Sequence, residues 1–169
     1  MYLHQQKRVT AIVLIVALIL AAMVPVILNN IANAASLSQV SVRFDRMKIS
    51  TATTGTVCAK PTTVATEASV QVAFPTGYTV SSTVGNWTVN TTNLAWPSGA
   101  SSWPGIGTAT AAAGQVVTFP STDLTVGTLY CFNWTNTAAL SISGSASASN
   151  SGTVTTRDSV PATIDSSPF

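Results

Sequence analysis

Beyond Ser36 the apolar residues of this chain recur at every second position, a period that suits strands and not helices. SQVSVRF alternates Val40, Val42 and Phe44 with polar residues, and ASVQVAF does the same with Val70, Val72 and Phe74. VVTFP adds Val117 and Phe119, LYCFNW adds Tyr130, Phe132 and Trp134, and ALSIS adds Leu140 and Ile142. GTVTT predicts a short closing strand around Val154. Turn signals separate these runs, among them Pro75-Thr76-Gly77, Pro97-Ser98-Gly99, Pro104-Gly105 and Val126-Gly127. Threonine and valine, which fit a pleated surface, are abundant throughout. With no helical pattern after residue 36, the sequence predicts a mainly β fold, an antiparallel β-sandwich spanning 35–157.

Two stretches read differently. Residues 90–110 hold two tryptophans, two prolines and several glycines, which predicts a long ordered loop. GSASASNSG is low-complexity, and VPATIDSSPF has the composition of a linker, so residues 158–169 are expected to form a C-terminal tail outside the sandwich.

The N-terminal region, 1–34, is of another kind. Lys7 and Arg8 precede VTAIVLIVALILAAMVPVIL, residues 9–28, which carries no charge. Twenty residues of helix rise about 30 Å, enough to cross a bilayer core. The flank NNIANAAS puts Ala32 and Ala34 at the small-residue positions of a signal-peptidase site, with cleavage between Ala34 and Ala35. The segment reads either as a removed signal peptide or as a retained transmembrane anchor with its positive end inside. Both readings place the rest of the chain outside the cell, at the surface or secreted.

Charge and chemistry narrow the function. Charged residues make up 7% of the chain, against roughly 25% in a typical soluble domain. From Ala35 onward five bases (Arg43, Arg46, Lys48, Lys60, Arg157) face five acids (Asp45, Glu67, Asp123, Asp158, Asp165), so a nucleic-acid partner is not expected. The one histidine is His4, in the leader. Cys-His and Ser-His-Asp catalysis and His-ligated metal sites therefore lack their essential side chain in the exported part. Lys48 and Lys60 have no S-x-x-K context, and the acids are scattered. No Asp-rich loop suggests calcium and no glycine loop suggests phosphate. The expectation is a protein that is not an enzyme and binds no cofactor or metal.

Three stretches carry resemblances. LTVGTLY, Leu124–Tyr130, resembles the L-x-P-G-T-x-Y signature of fibronectin type III and related immunoglobulin-like domains, with Val126 where that family has proline. The resemblance implies an immunoglobulin-like sandwich in which the Tyr130 hydroxyl bonds back to the chain near the preceding corner. FPTGYTV, Phe74 to Val80, is similar to a strand-turn of bacterial cell-surface sandwich repeats. ALILAAMVP resembles the N-terminal helix of type IV pilins, although no glycine precedes it as a processing site and no glutamate sits near its start.

Two cysteines, Cys58 and Cys131, in an oxidising compartment predict a disulfide. In the chain-entropy model such a bridge contributes about 4 kcal/mol. Because Cys131 follows Tyr130 directly, the two point to opposite faces of a strand. Tyr130, Phe132 and Trp134 bury more area than Leu129 and Cys131, which favours aromatics inward and a peripheral staple. Trp96 and Trp103, each before a proline, are candidate glycan contacts if exposed, and core or loop packing if not. Asn86-Trp87-Thr88, Asn90-Thr91-Thr92 and Asn133-Trp134-Thr135 fit the N-glycosylation pattern. The functional expectation is a structural or adhesive component of a wall, appendage or filament, which self-associates or binds other surface proteins. A carbohydrate-binding module is the rival, and a pilin-like subunit with a retained N-terminal helix comes third. Membrane contact would run through residues 9–28 if they are uncleaved.

Overall fold

The computed structural model describes residues 34–92, 94, 97–145 and 150–169. The apolar segment 9–28 and Trp96 lie outside the described residues. Residues Ala34–Phe169 form one compact unit.

Thirteen strands are present among the described residues. They are β1 (Ser38–Phe44), β2 (Ala52–Thr53), β3 (Gly55–Lys60), β4 (Ser69–Ala73), β5 (Thr79–Val80), β6 (Val89–Asn90) and β7 (Ser101–Ser102). They continue with β8 (Ala111–Ala113), β9 (Val116–Pro120), β10 (Tyr130–Trp134), β11 (Leu140–Ser141), β12 (Thr153–Arg157) and β13 (Thr163–Pro168). One sheet runs β1-β3-β10-β6, with β7 joining β10 in the one parallel strand pairing, and a second runs β13-β12-β4-β9-β8. A small third sheet, β2-β11-β5, also belongs to the unit. The fold is mainly β, antiparallel and sandwich-like.

Register decides which side chains meet. Val42, Val57 and Phe132 lie side by side across β1, β3 and β10, and Phe44, Gly55, Trp134 and Val89 form the next inward row. In the second sheet Val72 pairs with both Val117 and Val154, and Val70 with Phe119. These rows close on each other as the core: Phe119 and Phe132, one from each sheet, have ring centroids 5.0 Å apart. Phe74 stacks on Trp87 at 5.2 Å and meets Trp134 edge-on at 5.8 Å. Offset and edge-to-face pairs of this kind add about 1 kcal/mol each beyond the area they bury. Gly55 is required by its partner: a Cβ there would collide with the Trp134 ring and the Arg43 carbonyl.

Two expectations need correction. Residues 158–169 are not a linker-like tail, because Thr163–Pro168 form β13 and Phe169 exchanges backbone hydrogen bonds with Gly152. The strand around Val154 does not close the fold either; β12 lies between β13 and β4. The reason is a buried carboxylate. Asp165 accepts hydrogen bonds from the Thr62 and Thr63 amides at 2.9 and 3.1 Å and from the Thr63 hydroxyl at 2.5 Å. Its own amide donates to Thr156 Oγ1 at 3.2 Å. Thr62 also donates its hydroxyl to the Ser36 carbonyl at 2.7 Å, and Ala35 pairs with β13, so one side chain ties the chain start, the loop after β3 and β13 together. A TIDSSP segment with one apolar residue is thereby held as a strand.

Replacing this carboxylate strands two amides in a buried site. Asp165→Ala is expected to lower unfolding free energy by about 3 kcal/mol, the range for losing charged hydrogen bonds and leaving donors unpaired, read from urea unfolding. A loss below about 1 kcal/mol would show that β13 is held by something else.

Candidate functional site

Cys58 and Cys131 are directly opposed residues of β3 and β10, with Cα atoms 4.2 Å apart and a sequence separation of 73. Both are fully buried. The bridge therefore joins neighbouring strands within one sheet, on the face opposite Phe132 and Trp134, and does not cross between sheets. Just before β10 the chain turns at Leu124–Tyr130. The Tyr130 hydroxyl accepts a hydrogen bond from the Thr125 amide at 3.2 Å. Gly127, at φ +79°, adopts the left-handed conformation that glycine tolerates best, and its amide reaches the Pro61 carbonyl at 3.0 Å.

The same corner rests on Glu67. Its Oε2 accepts from the Leu124 amide at 3.0 Å, while Oε1 is buried with no hydrogen-bond partner among the described residues. Burial pushes the Glu67 carboxyl above its ordinary value and the negative charge of Asp123 adds to this, although the Leu124 amide pulls the other way. Asp165 has several donors where Glu67 has few, so the two buried acids are held differently.

Of the two tryptophans named as candidate glycan contacts, Trp103 takes the alternative of core packing. Trp103 is 2% exposed, its Nε1 donating to Ser121 Oγ at 2.9 Å and its ring meeting Phe132 edge-on at 5.5 Å. It packs in the core, and a ring in that position has no face to offer a sugar. Trp96 lies outside the described residues. Trp87 and Trp134 are buried too, with Nε1 donating to the Ser81 and Thr53 carbonyls. Ala34 and Ala35, the residues flanking the predicted cleavage point, are exposed, and the Ala35 amide donates to the Ile164 carbonyl at 3.2 Å. Among the described residues no three His, Cys, Asp or Glu side chains gather as metal ligands.

Two surface features escaped sequence reasoning. The first is a polar panel on the outer face of the β1-β3-β10-β6 sheet. Arg43, Thr56, Asn133 and Asn90 lie in one register row across its four strands. Two residues along each strand, Asp45, Thr54, Thr135 and Thr88 form the next row, joined by Asp45 N–H to Thr54 and Thr135 N–H to Thr88 backbone bonds. The side chains are linked: Thr56 Oγ1 donates to Asn133 Oδ1 at 2.7 Å, and Asn133 Nδ2 donates to Asn90 Oδ1 and the Thr92 carbonyl at 3.3 and 2.9 Å. Thr54 donates to Asp45 at 2.6 Å, and the Thr88 and Thr135 hydroxyls are 3.1 Å apart. All of these except Thr88 line a groove of about 320 Å³. The Asn133 amide, in the third glycosylation-like tripeptide, is thus occupied at both ends. The sequence held a faint signal for the panel, since Thr56, Asn90 and Asn133 put hydroxyl or amide groups at polar strand positions.

The second feature is an apolar groove of about 450 Å³ along the outermost strand β1, lined by Val40, Val42, Phe44, Met47, Tyr78 and Phe169. No protein-family model matches the chain, and no curated protein is significantly similar to it. Its chemistry has to be read from its own geometry.

Glu67 supplies a pH test of the corner. A carboxyl whose folded pKa lies above its unfolded value binds protons more tightly when folded, so stability falls as pH rises through the window between them. Wild-type protein should lose stability as pH rises above about 4.5, the ordinary value, relative to Glu67→Gln, which keeps an acceptor for the Leu124 amide but does not ionise. Thermal melts across pH 4 to 8 read the difference. Parallel curves for the two proteins would contradict it.

Proposed function

We propose that the chain is a non-catalytic, exported cell-surface protein with a structural or adhesive role in a wall, appendage or filament, built on an immunoglobulin-like sandwich. Export is supported by the uncharged segment 9–28 behind Lys7 and Arg8 and by a disulfide, which persists in oxidising compartments. The Tyr130 hydroxyl bond to the Thr125 amide supports kinship with domains that carry a tyrosine corner. The Cys58–Cys131 bridge within one sheet departs from the inter-sheet bridge of antibody domains. Whether residues 9–28 are removed or retained as an anchor separates a secreted form from a tethered or pilin-like one.

The observation that carries the structural role is the apolar groove along β1. Val40, Val42 and Phe44 belong to the inward rows, yet each is only half-buried, because β1 ends its sheet and the groove leaves one flank uncovered. Met47, which also lines the groove, is 56% exposed. The occupant is a second copy of this chain. From Ala35 onward acids and bases balance, so copies do not repel each other, and a Thr- and Val-rich surface matches its own kind. A bulge between Ser38 and Ser41, with Gln39 at φ 50°, breaks the edge and confines regular pairing to the Ser41–Phe44 half.

The full chain in detergent should associate in a concentration-dependent manner in sedimentation velocity, and Met47→Asp should shift it toward the smaller species. Because the segment 9–28 is common to both proteins, the comparison isolates the β1 groove. Equal association of the two would contradict the proposal.

A further inference from the structure

We propose that the outer panel of the β1-β3-β10-β6 sheet is a binding site for a neutral saccharide. It is a site distinct from the buried Trp103 and from the β1 groove, and it stands whether or not the chain self-associates.

Three properties of the panel favour a polyhydroxylated ligand. The first is its inventory. Thr54, Thr56, Thr88 and Thr135 each carry a hydroxyl, a group that can donate and accept, and Asn90 carries both halves of an amide, while Asn133 is engaged at both ends and holds its neighbours in place. A sugar presents the same mixture, each hydroxyl a donor and an acceptor. The second is charge. The panel holds one guanidinium, Arg43, and one carboxylate, Asp45, so it offers no net field to concentrate an anion or a cation. Asp45 in addition supplies an acceptor of the charged kind, which forms the stronger hydrogen bonds to hydroxyl donors. The third is order. The chain of hydrogen bonds from Thr56 through Asn133 to Asn90 and Thr92 already fixes the rotamers of the central row. Side chains that are ordered before binding lose less entropy when a ligand arrives.

Dimensions agree. Four strands at the usual spacing carry the row over about 14 Å, and the concavity of about 320 Å³ lies at the small end of ligand pockets. This is room for one or two sugar rings lying across the strands. The disulfide completes the design. Cys58 and Cys131 occupy the neighbouring outer row, two residues from Thr56 and Asn133, so the bridge clamps the two strands that carry the middle of the panel. A clamp at that place holds the Thr56 and Asn133 side chains in register without using any of their polar atoms.

The opposite outer face provides an internal control. On the second sheet Thr118, Gln71, Thr155 and Ser166 also form a polar row, with Gln71 Nε2 donating to Thr118 Oγ1 at 3.0 Å. The next row on that face, Pro120, Ser69, Arg157 and Thr163, holds a guanidinium but no carboxylate. A generic stickiness of polar sheet faces would act equally at both, whereas a built site would not.

The test uses the full chain in detergent on an array of neutral and acidic glycans, followed by titration calorimetry with the free oligosaccharide of the best-bound glycan. The expected result is binding to at least one neutral glycan, retained with the free oligosaccharide. Asn90→Ala and Thr135→Val should each weaken it about 5- to 10-fold, as expected for one or two hydrogen bonds, and Gln71→Ala should leave it unchanged. Asn90 and Thr135 are at the exposed part of the panel, and an unaltered melting temperature with the disulfide intact separates lost binding from lost fold. Absence of binding to every neutral glycan, binding confined to acidic glycans, or equal loss in Gln71→Ala overturns the proposal.

Discussion

Two neighbouring strands, β3 and β10, set the geometry of everything around them. Cys58 faces Cys131 across the pair, and the bridge between them fixes which residue of one strand meets which of the other. Because side chains alternate between faces, a slip of one residue would exchange the two sets entirely. With the register fixed, Val57, Phe132 and Trp134 point inward to meet Phe119 and Phe74, and Thr56 and Asn133 point outward as the centre of the polar panel. Core and candidate site are two faces of one constraint. β10 also receives β6 and β7, and β3 receives β1, so the whole first sheet is assembled on this pair.

Two buried acids organise the loops. Asp165 is surrounded by donors from Thr62 and Thr63, and acts as a fixed tie between the chain start, the loop after β3 and β13. Glu67 holds the corner before β10 by one oxygen and leaves the other buried without a partner. The first arrangement answers the desolvation of a charge with hydrogen bonds. The second answers it only in part, which is why Glu67 is pushed toward its neutral form. The Tyr130 hydroxyl and Gly127 complete the corner from the other side, so the turn feeding β10 is braced where its register begins.

The sequence made the long strands legible and left the short ones invisible. Val40, Val42 and Phe44, or Val70, Val72 and Phe74, announce β1 and β4 by alternation alone. Strands of two residues such as β2, β6 and β11 carry no period to detect. β13 was missed for a different reason: TIDSSP has one apolar residue, and its place is set by Asp165 hydrogen bonds to residues more than a hundred positions away. Trp103, before a proline in a glycine-rich stretch, is open from sequence to either exposure or core packing, and Ser121 Oγ, which accepts from its indole N–H, lets the ring enter the core. The hydroxyl and amide residues of the panel left a faint trace in the strands, but their assembly into one row did not. Arg43, Thr56, Asn133 and Asn90 become one row only through pairings between distant strands, and no local pattern encodes such a row.

Hydrogen exchange of the full chain, before and after selective reduction of the disulfide, tests this account most directly. If the bridge pins the β3–β10 register, reduction should speed exchange at the amides of Val57 and Phe132 and at Asn133 beside the panel, while β4 and β9 keep most of their protection. Unchanged protection across β3 and β10 after reduction confirmed by mass would contradict it, and would assign the register to the packed aromatic core alone.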